Sequence, residues 1–129
     1  VYRELMTPVR RAGSLVHMHS DGYIMDLLDG FGAAGVDIIN PQGLVNGIDA
    51  LAAEVKGRFC IELDLDRQSV VPFGSRTDIF AHVREAVHKL GDPTGGLMLR
   101  AGIYPPTPLE NLDALCAACE KYSTYFHGS

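Results

Sequence analysis

The chain has 129 residues, 47% of them hydrophobic and 21% charged, and its 16 acidic against 11 Lys and Arg side chains give a formal net charge of −5 at pH 7. That is enough chain for one core with the composition of an ordinary soluble domain, and the acidic balance without a basic stripe argues against nucleic acid or an anionic membrane as partner. Three cysteines, no Asn-x-Ser/Thr sequon, no apolar stretch near the ~18 residues of a membrane span and no signal-peptide core argue against a disulfide-framed secreted module, and the chain is expected to be cytoplasmic.

Val1 stands first rather than Met, and residues 2–12 read as the tail of a helix interrupted by Pro8 and followed by a Gly13-Ser14 turn. The chain is therefore expected to be a piece of a longer polypeptide. Leu15 and Val16 open an apolar run that turns polar at His17-Met18-His19-Ser20-Asp21. On an extended strand alternate side chains share a face, so His17, His19 and Asp21 point the same way. Ser20 or Asp21 can cap a helix in which Ile24, Leu27, Leu28 and Phe31 recur at helical spacing, with Gly32 and Gly35 closing it.

A β-branched run over 36–40 ends at Pro41, and Leu44, Ile48, Leu51 and Val55 space out as one amphipathic helix ending near Gly57. Residues 59–65 alternate strictly as a strand. After a loop with Pro72 and Gly74, Ser75 and Asp78 form a capping box ahead of Ile79, Val83, Val87 and Leu90, and Gly91 is the stop. Gly95 and Gly96 precede a strand over 97–100. Thr107, Pro108 and Glu110 then stand at the offsets of an N-cap, a first-turn proline and a capping-box acid, before a helix carrying Leu112, Leu115, Cys116, Cys119 and Tyr122.

Four strand–helix units joined by short loops predict an α/β fold with parallel strands and right-handed crossovers: four consecutive βα units, either a small open sheet or half of a (β/α)8 TIM barrel. Helices can cover only one face of such a half-barrel. Inward residues such as Leu15, Ile38 and Ile61 or Cys60 are then expected to leave an apolar surface that pairs with a second copy, as a homodimer, or with a missing half-barrel.

Polar groups gather at the carboxyl end of every predicted strand: His17, His19 and Asp21; Asn40 and Gln42; Glu62, Asp64, Asp66 and Arg67; Arg100 with Tyr104. Each alone is explained by capping a helix or ending a strand, but the clustering favours a site. His19, Asp66 and Arg100 are expected in one concave pocket, with Arg67 and Arg100 as bidentate donors to substrate carboxylates. Glu62, Asp64 and Asp66 share a face and suit acid–base work or the polar face of an edge strand. His17, His19 and Asp21 have ligand types that suit zinc, yet further ligands would have to come from another strand. Cys60 falls in an apolar strand, and Cys116 and Cys119 lie mid-helix on the apolar stripe, where core packing outweighs redox exchange. The expectation is no metal and no cofactor, with zinc as the alternative. No Walker-type loop or Gly-x-Ser-x-Gly elbow is present.

Four segments together resemble the C-terminal half of the uroporphyrinogen decarboxylase family, whose members are (β/α)8 barrels: Met18-His19-Ser20-Asp21-Gly22; Gly35-Val36-Asp37-Ile38-Ile39-Asn40-Pro41-Gln42; Leu65-Asp66-Arg67-Gln68 with Pro72-Phe73-Gly74-Ser75; and Tyr104-Pro105-Pro106-Thr107-Pro108-Leu109-Glu110-Asn111. The resemblance implies that residues 1–129 are a single C-terminal half-barrel lacking its N-terminal half, inactive alone. The complete barrel would decarboxylate a carboxylate-bearing substrate without a cofactor. Set beside the polar strand ends, it makes His19, Asp21, Asp66 and Tyr104 the catalytic candidates. His17, Asn40, Gln42, Glu62, Asp64, Arg67 and Arg100 are then the substrate-binding candidates. The family also includes zinc methyltransferases that move a methyl group between a corrinoid and a thiol. Asp21 stands where they carry the Cys of a His-x-Cys pair, and their later Cys falls near Gly102. Ala101 replaces the His that the decarboxylases place before that Gly. The alternatives are thus a corrinoid-dependent methyltransferase acting on a corrinoid-linked substrate, and a non-enzymatic half-barrel that binds a ligand or a partner chain.

Overall fold

Four short strands, β1 (His17–Ser20), β2 (Ile38–Pro41), β3 (Cys60–Asp64) and β4 (Leu97–Arg100), lie side by side in chain order and pair in parallel throughout. The structure, a computed structural model, describes residues 1–126. Around the sheet are α1 (Tyr2–Arg11), α2 (Leu28–Ala34), α3 (Gly43–Asn46), α4 (Ile48–Glu54), α5 (Val70–Phe73), α6 (Arg76–Leu90) and α7 (Leu109–Ser123). Strand and helix alternate, as parallel pairing requires, because each strand must cross back over the sheet before the next can begin.

One sheet face packs against helices. Ile39, Ile61 and Leu63 project from it into a core completed by Ile24 and Leu28, by Leu51 and Val55, by Ile79, Val83, Ala86 and Leu90, and by Ala114, Leu115 and Ala118. The long α6 and α7 supply the largest share of this layer. The capping box at Ser75 and Asp78 forms as expected, and Gly91 caps the end of α6. Gly35 closes α2 at φ 93°, a left-handed conformation that a side chain would oppose.

Several boundaries depart from the sequence expectation. Pro8 does not interrupt α1; the helix runs through it, anchored by Arg3 Nε donating to Ala33 O and Arg10 to Gly35 O. Neither Ser20 nor Asp21 caps a helix. A 3₁₀ turn (Met25–Leu27) precedes α2, and the buried Ile24 N–H donates instead to Asn46 Oδ1 at 3.0 Å, so the helical part of the first strand–helix unit is held by a side chain from the second. The single helix expected over Leu44 to Val55 is two, broken by Gly47 at φ 78°. Strand β2 includes Pro41 rather than stopping before it. Thr107 is not an accepting cap: its hydroxyl donates to Tyr104 O at 2.7 Å, and α7 starts at Leu109 without a side-chain cap. Cys116 does not lie on the apolar stripe but is exposed, whereas Cys119 is half-buried.

The other sheet face carries no helices, and its composition corrects the expectation of an apolar interior. Register and alternation put His17 and His19, Ile38 and Asn40, Cys60, Glu62 and Asp64, and Met98 and Arg100 on it. Ile61 lies on the opposite, helix-covered face with no exposure, and Leu15 precedes β1 and is exposed. The open face is therefore polar at its carboxyl end, with only Ile38, Cys60 and Met98 as apolar members.

Candidate functional site: the open face of the sheet

Because all four strands are parallel, their carboxyl ends fall on one side of the molecule and the polar residues that end them become neighbours. His17 Nε2 stands 3.2 Å from Glu62 Oε2. His19 Nδ1 is 2.6 Å from Asn40 Oδ1, and its Nε2 is 3.2 Å from Asp21 Oδ1. Arg100 reaches across to β3, with Nη1 3.6 Å from Glu62 Oε2 and Nε 3.8 Å from Asp64 Oδ1. On the other side of Asp64, Arg67 Nη1 is 3.6 Å from Oδ2.

Asn40 is the hinge of this array, and Pro41 is the reason. In the parallel ladder Cys60 N–H bonds Asp37 O, so by alternation the next β3 carbonyl on that side, that of Glu62, would take the N–H of residue 41. Proline has none. The Asn40 side chain, with no exposure at all, supplies the missing donor: Nδ2 donates to Glu62 O at 2.6 Å. This fixes the amide orientation, so Oδ1 must accept from the His19 Nδ1–H. The Nε2 of His19 then faces Asp21 and the solvent, and it is the ring atom at which a proton can be exchanged with a bound molecule.

Not every candidate joins the array. Asp66 is turned into its own loop, where Oδ1 accepts from the Gln68 and Ser69 N–H groups at 2.9 Å each and Oδ2 from the Ser69 hydroxyl at 2.7 Å. Burial would raise its pKa, but these donors outweigh burial and hold the carboxyl below its usual value. Asp66 therefore does not share a pocket with His19 and Arg100. It lines a cleft of about 300 Å³ between α3–α4 and α6, with Asp64, His82 and Glu85. Gln42 takes the N-cap position of α3 without a side-chain cap bond. Tyr104 is exposed, with the Arg67 guanidinium 5.7 Å from its ring centroid, a cation–π contact. Gly102 makes room for that pair, since a Cβ there would lie 2.8 Å from Tyr104 and 3.1 Å from Arg67.

Sequence reasoning passed over His82, on the buried side of α6. Its Nε2 accepts from the Asp66 N–H at 3.0 Å, and burial lowers its pKa, so it is a neutral brace for the Asp66 loop. Its position one residue before the apolar Val83 gave no sign of this.

Metal ligation finds no geometry. His17 turns to Glu62 and His19 to Asn40 and Asp21, and among the described residues no three or more His, Cys, Asp or Glu side chains are grouped to hold an ion. Burial raises the thiol pKa of Cys60 and of Cys119, with help from Glu62 and Cys116 respectively. No helix among the described residues is long and apolar enough to cross a membrane.

Fold and face together define an α/β protein with a parallel four-stranded sheet, helices on one face and a charged array on the other. No protein-family model matches the chain, and no curated protein matches it.

Proposed function

We propose that this chain is four units of a uroporphyrinogen decarboxylase-like (β/α)8 barrel and that its open face binds a small carboxylate-bearing substrate for decarboxylation once the barrel is closed. The observation that carries this reading is the gathering of His19, Glu62, Asp64, Arg67 and Arg100 on one uncovered face toward the carboxyl ends of parallel strands, with His17 meeting Glu62 from the start of β1. In α/β proteins that end is where ligands bind. Open edges at β1 and β4 support closure by a second half, either another copy or four further units.

In this reading Arg67 and Arg100 receive the substrate carboxylates as planar, multiply donating cations. His19, its Nδ1 proton held by Asn40, offers Nε2 for the proton that must replace carbon dioxide on the product carbon. Asp21 orients that imidazole, and Tyr104 keeps Arg67 in place. Among the family's chemistries, thiol-directed methyl transfer gains least support: burial, with Glu62 nearby, raises the Cys60 pKa and disfavours the thiolate.

The test is calorimetric titration of the chain with succinate and with a porphyrinogen bearing acetate groups, alongside release of carbon dioxide. Arg100→Leu should weaken carboxylate binding about tenfold or more, consistent with loss of a charge-assisted bond. Equal affinity in the variant would remove Arg100 from the role, and absence of binding by either probe would sink the reading.

A further inference from the structure

Asp64 is nine-tenths buried, its side chain 10% exposed, yet its Oδ1 accepts no hydrogen bond, and the buried Oε2 of Glu62, two residues earlier on the same face, is likewise without one although His17 Nε2 stands 3.2 Å from it. The cations beside them do not close the gap. Arg100 and Arg67 approach at 3.6–3.8 Å, whereas charge-assisted bonds settle near ~2.7–2.9 Å. Neither guanidinium makes a hydrogen bond to any described residue. The face thus holds two carboxylates with unused acceptors and two guanidinium groups with unused donors, within reach of one another.

Charge decides what such a face accepts. Two guanidinium groups stand there against the three carboxylates of Asp21, Glu62 and Asp64. A purely anionic ligand meets the arginines only by also facing Glu62 and Asp64. A ligand that carries a protonated nitrogen as well as a carboxylate leaves the local charge unchanged and pairs both sets.

We propose that the open face takes an amphoteric small molecule, its carboxylate on Arg67 and Arg100 and its ammonium or other cationic N–H group on Asp64 Oδ1 and Glu62 Oε2. The proposal rests on the reading of this face as the substrate site and narrows the substrate class. Arg100, about half exposed, swings outward to the carboxylate as the ammonium replaces it over β3.

Three probes of similar length separate the outcomes by isothermal calorimetry on the chain: 4-aminobutyrate, succinate and n-butylamine. The expected result is that 4-aminobutyrate binds at least tenfold more tightly than succinate, about 1.4 kcal/mol, and more tightly than the amine alone. Asp64→Asn should abolish that preference and strengthen succinate binding, since a neutral amide neither attracts the ammonium nor repels the second carboxylate. Succinate binding as tightly as 4-aminobutyrate would overturn the nitrogen subsite and leave the carboxylate reading standing. Butylamine binding as well as 4-aminobutyrate would show a bare cation site and overturn the proposal from the other side. Should none of the three bind, both this inference and the carboxylate reading fall.

Discussion

Replacing Asn40 by Ala tests the explanation of how the face is held. The variant removes the donor that Glu62 O receives at 2.6 Å and the acceptor that fixes His19 Nδ1, in a side chain with no exposure. His19 is exposed and can turn to water, so its loss is small. The Glu62 carbonyl cannot, because Pro41 has no N–H to offer. Leaving a buried acceptor unmet costs about 1–3 kcal/mol, and small-domain scaling turns ~2 kcal/mol into a fall in Tm of roughly 6–10 °C. The decisive arm is the double variant with Pro41→Ala, which restores an N–H at the position where the ladder needs it. Denaturation in urea, followed by circular dichroism, should show Asn40→Ala/Pro41→Ala to be less destabilised than the sum of the two single variants. Additive or worse-than-additive effects would refute the account of Asn40 as a substitute ladder donor.

Three further outcomes follow from the geometry. Burial lowers the His82 pKa below its unfolded value of about 6.5, so the stability it contributes is full above that pH and is lost as pH falls toward the folded pKa; His82→Gln should flatten urea midpoints between pH 7.5 and 5. Asn46→Ala strips the Ile24 N–H of its acceptor and frees Gly22 O and Gln42 O, and should cost about 2 kcal/mol and increase hydrogen exchange at Ile24, read by NMR. Gly102→Ala places a methyl group against Arg67 and Tyr104 and should weaken succinate binding severalfold with an unchanged Tm, whereas equal binding would free Arg67 of its role.

Much of the architecture was legible because period and punctuation agree where the core is made. Strict alternation over residues 59–65 matches a strand whose Ile61 and Leu63 are buried while Glu62 and Asp64 face the other way. The Ser75–Asp78 box and Gly91 fixed α6, where every signal is local. One failure arises because the deciding partner is far along the chain. Ser20 and Asp21 look like caps, but the competing acceptor is Asn46, 22 residues beyond Ile24. Asp66 looks like a member of the β3 acidic series, but the strand ends at Asp64, and the next turn folds its carboxylate onto Ser69. The polar character of the open face was not legible because strand parity alone left Ile61 or Cys60 as the inward member of β3, and the choice of Cys60 puts Glu62 and Asp64 on that face with it.

That correction changes how the sheet should meet a partner. Stacking an apolar surface on the open face would bury Asp64, Glu62, Arg67 and Arg100 together, at a cost of several kcal/mol per ion, so face-to-face pairing is disfavoured. The edges remain. Ile61 N–H bonds Gly96 O and Leu65 N–H bonds Arg100 O, so by ladder alternation the backbone groups of Leu97 and Leu99 point away from β3 toward the free edge. Val16 O accepts from Ile38 N–H at the other end, which turns the backbone groups of His17 and His19 outward. Two such edges joined in parallel would enclose the charged face as a wet barrel interior. The chain at micromolar concentration is therefore expected to sediment as a species heavier than 14.0 kDa. Leu97→Pro removes an edge donor without touching the β3 ladder and should return it toward monomer, while Leu97→Ala, which keeps the N–H, should not. A clean 14.0 kDa species for the unaltered chain, or assembly indifferent to Leu97→Pro, would show that the edges are not the joining surfaces.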